Sequence, residues 1–299
     1  MSDRPDWDRE GRDWPNRTAS RFVEAGALRW HVQVMGSGPV LLLVHGTGAA
    51  THSWRGLAPL LAQHFTVLAP DLPGHGFTAM PPPHRQSLPE MGRSLQALLT
   101  TLNLTPTIAI GHSAGAAILA RMALDGRIAP NLLLSLNGAL LPLQGWPALL
   151  FSPAAKLVAS CPLAPRLFAL TARDRGAVER LIRDTGSTID AEGIRLYATL
   201  FRNPGHIAGT LGMMAQWQLD SFAHDLPRLK TPLTLVAASN DRTIAPATAQ
   251  KVRDRLPTAQ LIRLPGLGHL AHEERPDEIA ALVLREAHTI LNTERLLPA

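Results

Sequence analysis

Between residues 21 and 271 the chain alternates short, β-prone apolar runs with longer amphipathic ones. That alternation is the pattern of a mostly parallel sheet with helices on both faces, because each return between parallel strands needs a crossover segment. Strands are expected over 21–24, 28–34, 40–45, 65–69, 107–111, 132–136, 233–238 and 260–264, with Gly26 turning the first two into a hairpin. The third run, VLLLV, has no polar face, as befits a strand covered on both sides. Helices are expected over 54–63, 87–102, 114–125, 246–255 and 276–291. Pro246 and Pro276 stand at helix starts, where a missing N–H costs nothing.

From 138 to 225 the alternation stops, and proline-punctuated, Leu- and Ala-rich helical segments replace it. The expected fold class is therefore α/β: a mostly parallel eight-stranded sheet flanked by helices, with an inserted helical cap. The core would be 20–137 and 226–299, the cap 138–225, and residues 1–19 an N-terminal arm, ordered or disordered. Two separate domains would meet in an exposed polar linker, and none stands out.

With 45% hydrophobic and 18% charged residues among 299, the chain can bury a sizeable core and is not of the disordered class. Its longest apolar stretches, such as 279–284, fall far short of the roughly 18 to 20 residues that cross a bilayer. The first twenty residues are charged and hold no apolar h-region, and Cys161 is the single cysteine, so a cytoplasmic, reducing setting is expected. The formal charge of +5 comes from arginines interspersed with acids. That distribution argues against nucleic acid as a partner and leaves room for a peripheral membrane contact.

The segment Gly111-His112-Ser113-Ala114-Gly115 falls between the run TIAI and the small-residue helix AGAAILARMAL. This is the setting of a G-x-S-x-G elbow, in which a sharp strand-to-helix turn exposes a serine oxygen and close-packed flanks call for glycine. A serine hydroxyl needs a base and an orienting acid, expected in the order Ser, acid, His. Asp241 follows the strand LTLVAAS, and His269 follows the last strand in the glycine-rich PGLGH, so the proposed triad is Ser113, Asp241 and His269. His272 is the rival base. Asn137 occupies the other strand end where an acid can arise, but an amide carries no charge to stabilise an imidazolium. The oxyanion donors are expected to be the N–H groups of Ala114 and of Thr47, the latter in the loop His45-Gly46-Thr47-Gly48. That loop lacks the Lys-Ser/Thr ending of a phosphate cradle, HLAHEE lacks the spacing of a zinc motif, and no cofactor or metal is called for. His45 and Trp54 are read as shaping the loop, and His75 as part of a tight turn under the site.

Together HGTG, DLPGHG, GHSAG, SNDRTIAP and GLGH resemble the α/β-hydrolase superfamily over roughly residues 20–295. More narrowly, DWPNR, HGTGAATHSW, LNGALLP, GHIAGTLGMMAQW and PGLGHLAHEERP resemble the magnesium-chelatase accessory proteins encoded with bacteriochlorophyll biosynthesis genes in phototrophic bacteria. The first resemblance implies a serine esterase. The second implies tetrapyrrole metabolism, with either a hydrophobic tetrapyrrole ester as substrate or a non-catalytic, porphyrin-carrying role beside magnesium chelatase. In the cap, Trp146, Met213, Met214 and Trp217 either line a large apolar pocket for such a substrate or bury the cap on the core. Arg166, Arg173, Arg175 and Arg202 either meet propionates or form a solvated face.

Overall fold

Along β3 (Val40–Val44), Leu42 and Val44 face one hydrophobic cluster and Leu41 and Leu43 the other, so the strand is buried on both sides. The same split runs through the neighbouring strands: Ala109 and Leu133 join the first cluster, while Ile108, Ile110, Leu132 and Leu134 join the second. The computed structural model describes residues 3–142, 161 and 163–295. Its strands are β1 (Ser20–Ala25), β2 (Leu28–Met35), β3, β4 (Thr66–Pro70), β5 (Ile108–His112), β6 (Leu132–Leu136), β7 (Leu233–Ala238) and β8 (Gln260–Leu264). They form one eight-stranded sheet in the order β1-β2-β4-β3-β5-β6-β7-β8. Pairing is parallel from β4 through to β8, and β2 is antiparallel to both β1 and β4. Gly26 and Ala27 both have positive φ (58° and 62°), which is what a two-residue turn between twisted hairpin strands needs.

The helices are α1 (Leu57–Leu61), α2 (Leu88–Leu102), α3 (Ala114–Leu124), α4 (Ala164–Thr171), α5 (Arg175–Asp184), α6 (Ala191–Phe201), α7 (Pro204–Ala215), α8 (Asp220–Asp225), α9 (Ala247–Arg255), α10 (Ala271–Glu274) and α11 (Pro276–Arg295). The helix expected over 54–63 is in fact a 3-10 turn, Thr51–Trp54, followed by the short α1. Gly56 lies at the break, and a Cβ there would sit 3.0 Å from Pro276 Cγ, so packing against α11 decides the geometry. Helices α2 and α3 cover one face of the sheet, with Leu88, Met91, Leu95, Ala116, Leu119 and Met122 buried there. Trp54, Leu57, Leu61, Ile279 and Val283 cover the other.

Between β6 and β7 the described residues form only helices, α4 to α8, set over the carboxyl edge of the sheet. Asp174 and Asp190 cap α5 and α6 through their carboxylates, accepting from Gly176 N and Gly193 N. Trp146, with the rest of 143–160, lies outside the described residues. Among the described residues no helix is long and apolar enough to cross a membrane.

Residues 3–19 pack onto the core. Trp14 is 2% exposed and donates through Nε1 to Thr51 Oγ1 at 3.0 Å. Trp7 meets the rings of Phe22 and Phe77 edge-on, and Arg4 donates to the carbonyls of Gly76 and Thr78. Burial lowers the Arg4 pKa to about 10, against the pull of Asp71, which leaves the guanidinium charged at neutral pH. Trp14 is the anchor of this arm, so Trp14→Ala is expected to lower stability by roughly 3 kcal/mol. Urea unfolding followed by circular dichroism measures it, and a loss under about 1 kcal/mol would show that the arm adds little.

Candidate active site

At the carboxyl edge the chain leaves β5 and enters α3 through Ser113, whose φ of 51° and ψ of −118° are unfavourable for any residue with a side chain. Such a conformation costs about 1–3 kcal/mol and persists only where the surroundings impose it. Three backbone bonds do so here. Ser113 N donates to Leu136 O (3.0 Å), and Ser113 O accepts from Ala116 N (3.2 Å) and Ala139 N (3.0 Å). Glycine flanks the turn for the expected reason: a Cβ on Gly111 would fall 2.4 Å from Ala116 Cα, and one on Gly115 would fall 2.1 Å from Val44 O. Ser113 is half-buried, and its side chain does not cap its own helix. The amide of Ala114, which precedes the first bond of the helix, made by Ala116 N to Ser113 O, presents its partial positive charge beside the serine.

Asp241 and His269 meet directly. His269 Nδ1 lies 2.8 Å from Asp241 Oδ2, and the two side chains are 8% and 1% exposed. The second carboxylate oxygen accepts from the amides of Thr243 and Ile244, both at 2.8 Å, so Asp241 is held from two sides. With Nδ1 committed to the carboxylate, Nε2 is the nitrogen left to act as a base. His269 O accepts from His112 Nε2 (3.0 Å), which ties the loop to the residue preceding Ser113, and the two rings lie 4.6 Å apart. No hydrogen bond joins Ser113 Oγ to His269 in this structure; in such sites that contact often tightens only when substrate engages.

Asn137 is a clamp. Its Nδ2 donates to Gly268 O (3.1 Å) and His269 O (2.9 Å), while its Oδ1 accepts from Ala238 N (2.8 Å). An amide serves where a carboxylate would face two carbonyl oxygens. The cap supports the same loop from above: Ser187 Oγ accepts from Leu270 N at 2.8 Å, and a Cβ on Gly268 would strike Gly186 at 2.3 Å.

His272 is bonded elsewhere. Its Nε2 lies 2.7 Å from Ser53 Oγ, within a buried cluster in which Glu273 accepts from Tyr197 OH (2.8 Å) and pairs with Arg55, which also reaches Asp190 at 2.8 Å. This cluster joins α6 of the cap to the core and was not visible in the sequence. Burial pushes the Glu273 carboxyl up from its ordinary range, against the pull of Arg55.

The loop after β3 passes close enough that a Cβ on Gly46 would meet Ser113 Cβ at 2.9 Å. His45 holds it, accepting from Leu72 N at Nε2 (2.9 Å) and donating from Nδ1 to Gly46 O (2.7 Å). Thr47 Oγ1 contacts Met213 Sδ at 3.8 Å. Beneath, Asp71 accepts from Thr51 N (2.6 Å), Phe77 N (2.9 Å) and His31 Nδ1 (2.8 Å). Burial alone would raise the Asp71 pKa, but His31, with help from the Phe77 amide, holds it well below the usual carboxylate range. His75 donates to Pro73 O within the turn. Of the expected substrate contacts, Met213 is fully buried, Trp217 is 8% exposed in the same cluster, and Met214 is half-buried.

A model of the alpha/beta hydrolase family matches residues 41–282. The magnesium-chelatase 30 kDa subunit of Rhodobacter capsulatus is 38% identical over 274 residues, 91% of this chain and 95% of that protein. Among solved structures, an alpha/beta hydrolase fold protein from Burkholderia ambifaria superposes with a TM-score of 0.75 at 27% identity, covering 89% of this chain and 97% of its own. An esterase from Thermogutta terrifontis gives 0.70 at 21% identity, covering 91% and 98%, a likeness of fold.

The buried histidines generate a pH prediction. Burial lowers His206 and His272 to about 3, and it lowers His45, His52, His75 and His112 as well. In the unfolded chain these rings take up protons near pH 6.5, whereas in the folded chain they do not. The stability they contribute is therefore present above about pH 6.5 and is lost as pH falls toward 3. Unfolding free energy from urea titrations should drop between pH 7 and pH 5 with a slope of more than one proton, each proton corresponding to roughly 1.4 kcal/mol per pH unit. A flat profile over that interval would contradict the neutral assignment.

Proposed function

The chain belongs to the α/β-hydrolase family, and on that premise we propose that it is a serine hydrolase of carboxylic esters using Ser113, His269 and Asp241. The observation that carries this reading is the 2.8 Å bond between His269 Nδ1 and Asp241 Oδ2, at the sheet edge where Ser113 is held in its strained turn. Ser113 Oγ attacks the ester carbonyl while His269 Nε2 takes its proton. The tetrahedral oxyanion accepts from the N–H groups of Ala114 and Thr47, and its collapse expels the alcohol, which receives the proton from His269. Water, deprotonated by the same imidazole, then attacks the acyl-enzyme and releases the acid. Asp241 keeps the imidazole in the required tautomer and offsets the charge of the imidazolium. No cofactor enters these steps.

For the substrate we propose a hydrophobic ester of the tetrapyrrole class, with Met214 and Trp217 of the cap as contacts. The support is the likeness to a protein named as a magnesium-chelatase subunit, over nearly the whole of both chains. The same likeness supports a second reading, in which the chain is an accessory or porphyrin carrier associated with magnesium chelatase, acting in the cytoplasm or at a membrane surface.

A fluorophosphonate probe separates the two, because only an activated nucleophile is labelled. Labelling at Ser113 is expected, and Ser113→Ala should lower kcat on a p-nitrophenyl ester by a factor on the order of 10^4. Absence of labelling, or most activity surviving in Ser113→Ala, would favour the carrier. Porphyrin methyl esters offered to wild type and mutant, read by mass spectrometry for loss of the methyl group, test the substrate.

A further inference from the structure

Helix α7 belongs to the cap, yet it reaches the loop that follows β3. His206 is fully buried at its first turn, and both ring nitrogens are used. Gly76 N donates to Nδ1 at 3.0 Å, so Nδ1 carries the lone pair. The proton is then on Nε2, which donates to Gly48 O at 3.1 Å. Burial keeps the ring neutral, with a pKa lowered to about 3, so the donor and acceptor roles do not exchange near neutral pH.

Gly48 is the third residue of a tight turn closed by Ala49 N donating to Gly46 O at 3.2 Å, and its φ of +80° is the value a type II turn demands at that position. Thr47 is the second residue of the same turn. The Thr47 N–H lies on the Gly46–Thr47 peptide, whose carbonyl Ala49 N and His45 Nδ1 hold. The Gly48 carbonyl leaves the other side of the same turn, so fixing it limits the rotation of the turn that would swing that N–H. The cap touches the turn again through Met213 Sδ on Thr47 Oγ1, and it is seated by Gly209, where a Cβ would fall 2.0 Å from Gly74 O.

We infer that His206 is a positioning residue for the oxyanion loop, holding the Thr47 N–H in line through the Gly48 carbonyl, so that a cap residue sets the rate of the chemical step. The inference rests on the serine-hydrolase reading above. A buried histidine that served packing alone would change stability and leave turnover unaffected. The two nitrogens can be separated, because a glutamine amide reaches the place of Nε2 and can donate to Gly48, whereas an asparagine amide reaches only the place of Nδ1 and can accept from Gly76.

The test is kcat and KM on a small p-nitrophenyl ester for wild type, Ser113→Ala, His206→Ala, His206→Asn and His206→Gln, with thermal melts of each. His206→Ala and His206→Asn are expected to lose roughly 10- to 100-fold in kcat with KM little changed, and His206→Gln to recover most of it. Ser113-dependent turnover with kcat within twofold of wild type in His206→Ala overturns the inference alone. Rescue by Asn as good as by Gln also overturns it, since the Gly76 bond would then be what matters. A His206→Gln chain that does not fold would make the residue a stability element and likewise overturn it. Wild type without turnover, or Ser113→Ala with full turnover, overturns the hydrolase reading and the inference with it.

Discussion

The site depends on a contact in which no side chain takes part: the first turn of α3 lies directly against the end of β3, with Gly115 so close to Val44 O that a methyl group would fall 2.1 Å from it. This approach puts the end of β5 and the loop after β3 side by side. The distance between Ser113 and the Thr47 turn is therefore set by backbone packing, which is stiffer than any arrangement resting on rotamers. The strain at Ser113 is the consequence. A chain that must turn from strand to helix within one residue, while the helix presses on the next strand, has no relaxed φ and ψ to offer that residue.

The sheet was readable because its signals are local. Each apolar run and each turn residue states its own preference, and the last three strands begin and end at the residues expected. The serine, acid and histidine were readable for a related reason: each follows a strand, and strand ends are what periodicity locates well. The clamp at Asn137 was not. Sequence shows an amide where a carboxylate can stand, and only the fold shows that the amide donates to the His269 loop and accepts from the end of β7. His206 falls within GHIAGTLGMMAQW but gave no signal of this contact, since a histidine near the start of an apolar helix has the same neighbours in sequence whether it faces solvent or a loop 158 residues away.

The electrostatic layout around the proposed base follows from burial. His112 lies 4.6 Å from the His269 ring on one side and 4.5 Å from His272 on the other, ring centre to ring centre. Protons on neighbouring rings would repel a charge arriving on His269 and weaken it as a base. Burial, aided by nearby positive charge, lowers His112 and the His272 ring beyond it far below their ordinary range, so they stay neutral. Asp241 is then the charged group bonded to His269, and the ring packed beside it, that of His112, is uncharged.

The cap divides its surface between holding the site and facing outward. On α7 the residues 206, 210 and 213 recur at helical spacing and form one face, and it is this face that His206, Thr210 and Met213 turn toward the Thr47–Gly48 turn. A neighbouring residue points about 100° away. Met213 is spent on the loop and the core, while Met214 stands on the adjoining face, half-buried. A substitution on the adjoining face of α7 leaves the contacts with the Thr47–Gly48 turn in place, whereas one that tilts the helix moves His206, Thr210 and Met213 together and shifts the turn they hold.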